Sequence, residues 1–117
     1  AVEQFARNTS SPFFGRVLNR TVLAGHSLGG GSSVLAADEH LAAAYERVTA
    51  IFTMSLGTYT IPSALESAPL VPAAVPALLF TGTEDCVDPA AKNSLPVFSG
   101  LRSACAAVVS VVGGSHC

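Results

Sequence analysis

The chain has 117 residues, enough for one domain over residues 1–117 and no more. Hydrophobic residues make up 50% of it and charged residues only 12%, with a net charge of -2, against about 25% charged in an ordinary domain. That balance excludes the basic face that nucleic acid requires, and no apolar run reaches the ~18 residues of a membrane span.

Residues 1–20 are mixed. Ser10-Ser11-Pro12 reads as a turn, and Phe13 and Phe14 read as apolar anchors. Asn8-Thr9-Ser10 and Asn19-Arg20-Thr21 match the glycosylation sequon, a pattern short enough to arise often by chance. The chain starts at Ala1, as a mature or cut product would. A first strand is expected over Thr21–Ala24, and a helix from about Leu28 to Ala44. Val34, Leu35, Leu41 and Ala42 recur there at roughly helical spacing. A second strand follows over Val48–Met54. The segment Ser55–Pro76, with Pro62, Pro69 and Pro72, reads as a long loop of the kind that binds ligands, with a short helix near Ser63–Ser67. Ala77–Thr81 is the third strand. A helix over Ala90–Leu101 is interrupted by Pro96. The valine-rich run Ala106–Val112 is the fourth strand and ends at Gly113-Gly114. Strands alternating with helices predict an α/β fold, a mostly parallel sheet of about four strands with flanking helices. Parallel strands buried on both faces read as the continuous apolar runs found here.

Chemistry concentrates at the strand ends. Gly25-His26-Ser27-Leu28-Gly29 follows the first strand and is G-x-S-x-G. A serine on a sharp strand-to-helix turn needs strained torsions and no side chains beside it. Glycines two before and two after remove the clashing Cβ atoms and leave the hydroxyl exposed. Gly30 and Gly31 let the following helix pack close. A serine is a poor nucleophile until a base takes its proton and a carboxylate orients that base. Asp85 and Asp88 follow the third strand, and His116 follows the fourth. The order serine, carboxylate, histidine is one of the chain orders that such triads use, and all three groups follow strands at the edge where open α/β sheets carry their sites. Asp85 is preferred as the acid, because Asp88 before Pro89 also reads as a helix cap. His26 is expected to pack beside the site, and His40 to lie on an exposed helix face. The Leu28 N–H, opening the helix after the nucleophile, is the expected oxyanion donor. The cysteines and histidines lack metal-ligand spacing, so no metal or organic cofactor is called for.

The run from Asn19 to Ser32 resembles the nucleophile elbow of bacterial cutinases and polyester (PET) hydrolases, in the dienelactone-hydrolase-like branch of the α/β-hydrolases. Val75–Phe80 with Asp85-Cys86-Val87-Asp88-Pro89 resembles that family's acid loop. There the carboxylate lies four residues before a proline, which matches Asp85. Gly113-Gly114-Ser115-His116 resembles its histidine loop. The resemblance implies a partial α/β-hydrolase fold and a Ser27–His116–Asp85 triad that cleaves carboxylic esters of small molecules or polymers, in enzymes that are often secreted. Those enzymes often carry a stacking Trp after the strand that follows the elbow helix. Here the nearest aromatic is Tyr59, so Tyr59 and His26 are the expected substrate contacts.

The resemblance also implies that the chain corresponds to the C-terminal half of such an enzyme. The half before the elbow carries the second oxyanion N–H. Without it, Thr21–Ala24 becomes an apolar edge strand, to be covered by an upstream segment or a second copy. The alternative to an esterase is a non-catalytic module of the same fold that needs its other half. Cys86 follows the acid and Cys117 the base, so a Cys86–Cys117 disulfide joining the two loops is expected if strands three and four are neighbours. Cys105, at the far end of its strand, is a poor partner for either.

Overall fold

The computed structural model describes residues 8–18, 20–38, 48–58 and 63–117. Strand β1 spans Thr21–His26 and runs directly into the elbow. Helix α1 spans Leu28–Ala36, well short of the expected Ala44. Three consecutive glycines, Gly29–Gly31, open it, and each costs about 1 kcal/mol of helix propensity. Leu41 and Ala42, expected on its apolar face, lie outside the described residues, as does His40. Strand β2 is Val48–Met54. Helix α2, Ser63–Ser67, continues into a 3₁₀ turn over Ala68–Leu70. Strand β3 is Ala77–Gly82, helix α3 is Ser94–Gly100, and strand β4 is Ala106–Val111.

Helix α3 begins four residues later than expected. Residues 89–93 form turns instead, with the Lys92 N–H donating to the Pro89 carbonyl. Pro96 explains the shift. Starting at Ser94 puts the proline in the first helical turn, where its missing N–H would have had no intrahelical acceptor. A start at Ala90 would have left it inside the helix.

The strands form one parallel sheet in the order β1-β2-β3-β4, with Leu23 opposite Ile51 and Leu79 opposite both Thr53 and Val108. This is the α/β architecture that the alternation predicts. Among the described residues the first strand is an edge, as expected, and bonds to β2 alone. One face is packed. Ile51, Ala77 and Leu79 meet Val34, Ala37, Ala68, Val71 and Val97 from the helices and their flanks, all buried. Each large aliphatic side chain so buried contributes about 1.5–3 kcal/mol. On the opposite face Val22 is 60% exposed, the rings of Phe52 and Phe80 meet at a tilt of 50° with centres 5.3 Å apart, and a groove of about 610 Å³ runs past Val22, Phe52, Leu78 and Ala107. Among the described residues no helix is long and apolar enough to cross a membrane.

Candidate active site

The site lies past the C-terminal ends of β1, β3 and β4. Ser27, between β1 and α1, has φ 55° and ψ -125°, a conformation that costs of order 1–3 kcal/mol unless its surroundings enforce it. They do. The Ser27 N–H donates to the Met54 carbonyl at 3.0 Å, while the Ser27 carbonyl accepts from Gly30 and Gly57, each at 2.9 Å. The glycines contribute unequally. A Cβ at Gly25 would run into the Gly29 carbonyl, and one at Gly31 into the Gly57 carbonyl. A Cβ at Gly29 would meet nothing within 4 Å. The expectation that Gly29 removes a clashing Cβ is therefore corrected: its backbone is what Gly25 must approach. Leu28 is the first residue of α1, so its N–H has no intrahelical acceptor and remains available to a ligand.

His116 lies on the loop after β4. Its Nδ1–H donates to Asp85, with both carboxylate oxygens at 3.1 Å. With Nδ1 so engaged, Nε2 is left as the basic nitrogen. Asp85 is 5% exposed, and its Oδ1 also accepts the N–H groups of Val87 at 3.1 Å and Asp88 at 2.8 Å. Burial by itself would raise the Asp85 carboxyl. The Asp88 backbone N–H, the Ser55 hydroxyl and His116 together outweigh it and hold the group below 3.8. The acid and histidine loops are further stitched by Glu84 N–H to the Gly114 carbonyl at 2.9 Å and by Gly113 N–H to Thr83 Oγ1 at 2.9 Å.

Three expectations change. Cys86, Cys105 and Cys117 are all free and exposed, so the Cys86–Cys117 bridge is not formed. The backbone bonds between the same two loops do the joining. Asp88 caps no helix, because α3 starts at Ser94 with Asn93 before it. Instead Asp88, 1% exposed, accepts the Ser27 hydroxyl on Oδ2 at 3.1 Å, and that oxygen is 3.8 Å from His116 Nδ1. His26 does more than pack nearby. Its ring centre is 4.8 Å from that of His116, and its Nε2 is 2.9 Å from the His116 carbonyl. A carbonyl only accepts, so His26 Nε2 carries the proton and ties the histidine loop to the elbow. Tyr59 lies outside the described residues.

Sequence reasoning overlooked Asn93, which is fully buried. Its Oδ1 accepts both the N–H and the hydroxyl of Thr58, at 3.1 and 2.7 Å, and its Nδ2 donates to the Pro89 carbonyl at 3.2 Å. It fastens the loop after β2 to the segment that carries Asp88. No periodicity marks such a residue; an asparagine shortly before a helix reads only as a cap.

No family model matches the chain, and no curated protein matches it in sequence. Solved structures do match in fold. A monoacylglycerol lipase of Paleococcus ferrophilus superposes with TM-score 0.67 at 15% identity, covering 83% of this chain and 60% of that one. The esterase domain of a Rhodothermus marinus protein gives TM-score 0.64 at 17% identity, covering 81% and 52%. An alpha-beta serine hydrolase homologue from Coxiella burnetii gives TM-score 0.56 at 25% identity, covering 81% and 40%. The chain thus spans about half the length of these structures, and it has the α/β-hydrolase fold.

Proposed function

We propose that this chain carries the reacting centre of a serine hydrolase that cleaves carboxylic esters, with Ser27 as nucleophile, His116 as base and Asp85 as the acid that orients it. One observation carries the reading. An imidazole is held through Nδ1 by a buried carboxylate, and a serine in strained elbow geometry is linked to it through Asp88 Oδ2, 3.1 Å from Ser27 Oγ and 3.8 Å from His116 Nδ1. In the reaction His116 Nε2 takes the Ser27 proton as Oγ attacks the ester carbonyl carbon. The carbonyl π electrons move to oxygen, where the Leu28 N–H donates. The alkoxide leaves with the proton from His116, and water then hydrolyses the acyl-enzyme by the same route. The solved structures of like fold, a lipase and an esterase among them, support a hydrolase in general. A cutin- or polyester-like substrate contacted by His26 and Tyr59, and export from the cell, rest on the sequence resemblance.

The second oxyanion donor and the cover for β1 would come from an upstream segment or a second copy. A second reading, a non-catalytic module of the same fold, draws on the Ser27 hydroxyl pointing at Asp88 rather than at His116.

The test is hydrolysis of p-nitrophenyl acetate, butyrate and octanoate followed in the stopped flow. The proposal expects a burst of nitrophenol equal to the enzyme concentration, absent in Ser27→Ala. A folded protein with neither burst nor turnover supports the non-catalytic module.

A further inference from the structure

Asp88 has no structural task that calls for a carboxylate. It caps no helix, it is 1% exposed, and its Oδ1 has no hydrogen-bond partner among the described residues. Burying a carboxylate in this way is costly, and an apolar side chain would avoid the cost. The fold nevertheless makes room for it. Gly57 lies against the group so closely that a Cβ there would be 2.7 Å from Oδ2. Among the described residues, the hydrogen bond its side chain makes is with the Ser27 hydroxyl, 3.1 Å away. A serine hydroxyl has one proton to give, so at rest that proton points at Asp88 and must turn to His116 Nε2 before attack.

We propose that Asp88 is a second carboxylate of the site, a positioning residue that holds the Ser27 hydroxyl at rest and shares the His116 imidazolium charge with Asp85 during attack. The proposal rests on the ester-hydrolase reading above. Its geometry is the Oδ2 atom that lies 3.1 Å from Ser27 Oγ and 3.8 Å from His116 Nδ1. The groups facing His116 are Asp85, Asp88 and the His26 ring. Two carboxylates therefore face Nδ1 of the imidazole, and the loss of either leaves the other in reach.

The experiment measures the rate of labelling by a fluorophosphonate over a pH series. In that step the Ser27 Oγ–P bond forms, the P–F bond breaks, fluoride leaves, and the proton goes to His116. The variants are Asp88→Asn, Asp85→Asn and the double variant, with Ser27→Ala and His116→Ala as controls and melting curves for folding. Asp88→Asn is expected to label about tenfold more slowly, with the acid limb of its profile moved to lower pH, because the imidazolium has lost a neighbouring anion. Asp85→Asn is expected to lose only about 10²-fold, where loss of a sole orienting carboxylate costs about 10⁴. The double variant is expected to fall by about 10⁴, more than the product of the singles, because each carboxylate covers for the other. An Asp88→Asn protein that labels at the parental rate with an unmoved profile, while both controls lose labelling, overturns this proposal alone. If Asp88→Asn does not melt cooperatively, Asp85→Asn decides: a loss near 10⁴ means that Asp88 gives no cover. A folded parent that does not label removes the hydrolase reading and this inference with it.

Discussion

At the elbow, the main chain fixes Ser27; across the site, side chains and loop contacts fix His116. Ser27 is held by four backbone partners, Met54, Gly30, Gly31 and Gly57, and by glycines that leave no room for a Cβ at positions 25 and 31. His116 hangs on a carboxylate, on the bond from His26 to its carbonyl, and on the stitching of Gly113 and Gly114 to Thr83 and Glu84. The difference teaches where each half fails. The placement of Ser27 fails by sterics, that of His116 by loss of charge or of a single hydrogen bond.

The largest effect is expected from His116→Ala, which leaves the elbow intact and removes the proposed base. Ester turnover should fall by about 10⁴–10⁶, with the melting temperature little changed. Gly25→Ala attacks the other half. Its methyl would meet the Gly29 carbonyl, and such overpacking costs about 1–3 kcal/mol or more, so both the melting temperature and turnover should drop. If Gly25→Ala left turnover unchanged, the steric account of the elbow would be wrong. Acid sharpens the contrast through Asp85. Its carboxyl titrates lower in the folded chain than the ordinary 3.8, so its stabilisation is complete above that value and is lost as pH falls through the lower folded value. Acid unfolding curves of the parent and Asp85→Asn should therefore stay apart down to the ordinary 3.8 and converge only as pH falls through the lower folded value. The smallest effect is His26→Ala. Losing the bond to the His116 carbonyl is worth about 1 kcal/mol and should slow turnover about tenfold or less, without altering the pH at which the chain unfolds.

Much of this was legible in the residues, for physical reasons. The apolar runs at Val48–Met54 and Ala77–Thr81 read as strands, and their alternation with helices as a parallel sheet, but the expected burial on both faces did not follow, since Phe52 is only half-buried and Met54 is exposed. Pro96 announced a disturbed helix, but the solution, a later start at Ser94, depends on which turns residues 89–93 can form. That choice in turn frees Asp88 from the capping role its Asp-Pro sequence suggests. Local sequence signals a cap because the pattern is local. The contact with Ser27 spans 61 positions and follows only from the pairing of β1 with β2 and of β2 with β3. The same holds for Asn93 and Thr58, 35 positions apart, and for His26 and the His116 carbonyl, 90 apart. The expected disulfide failed for a related reason. Adjacency of strands brings two loops together, but bridging needs Cβ atoms about 3.5–4.5 Å apart and aimed at each other, which adjacency does not supply.

The most direct test of the account is to treat the folded chain with a fluorophosphonate and locate the adduct by mass spectrometry. The account predicts a single adduct on Ser27 that is lost in His116→Ala. A folded chain with no adduct, or an adduct on Ser27 that forms equally fast without His116, would contradict it.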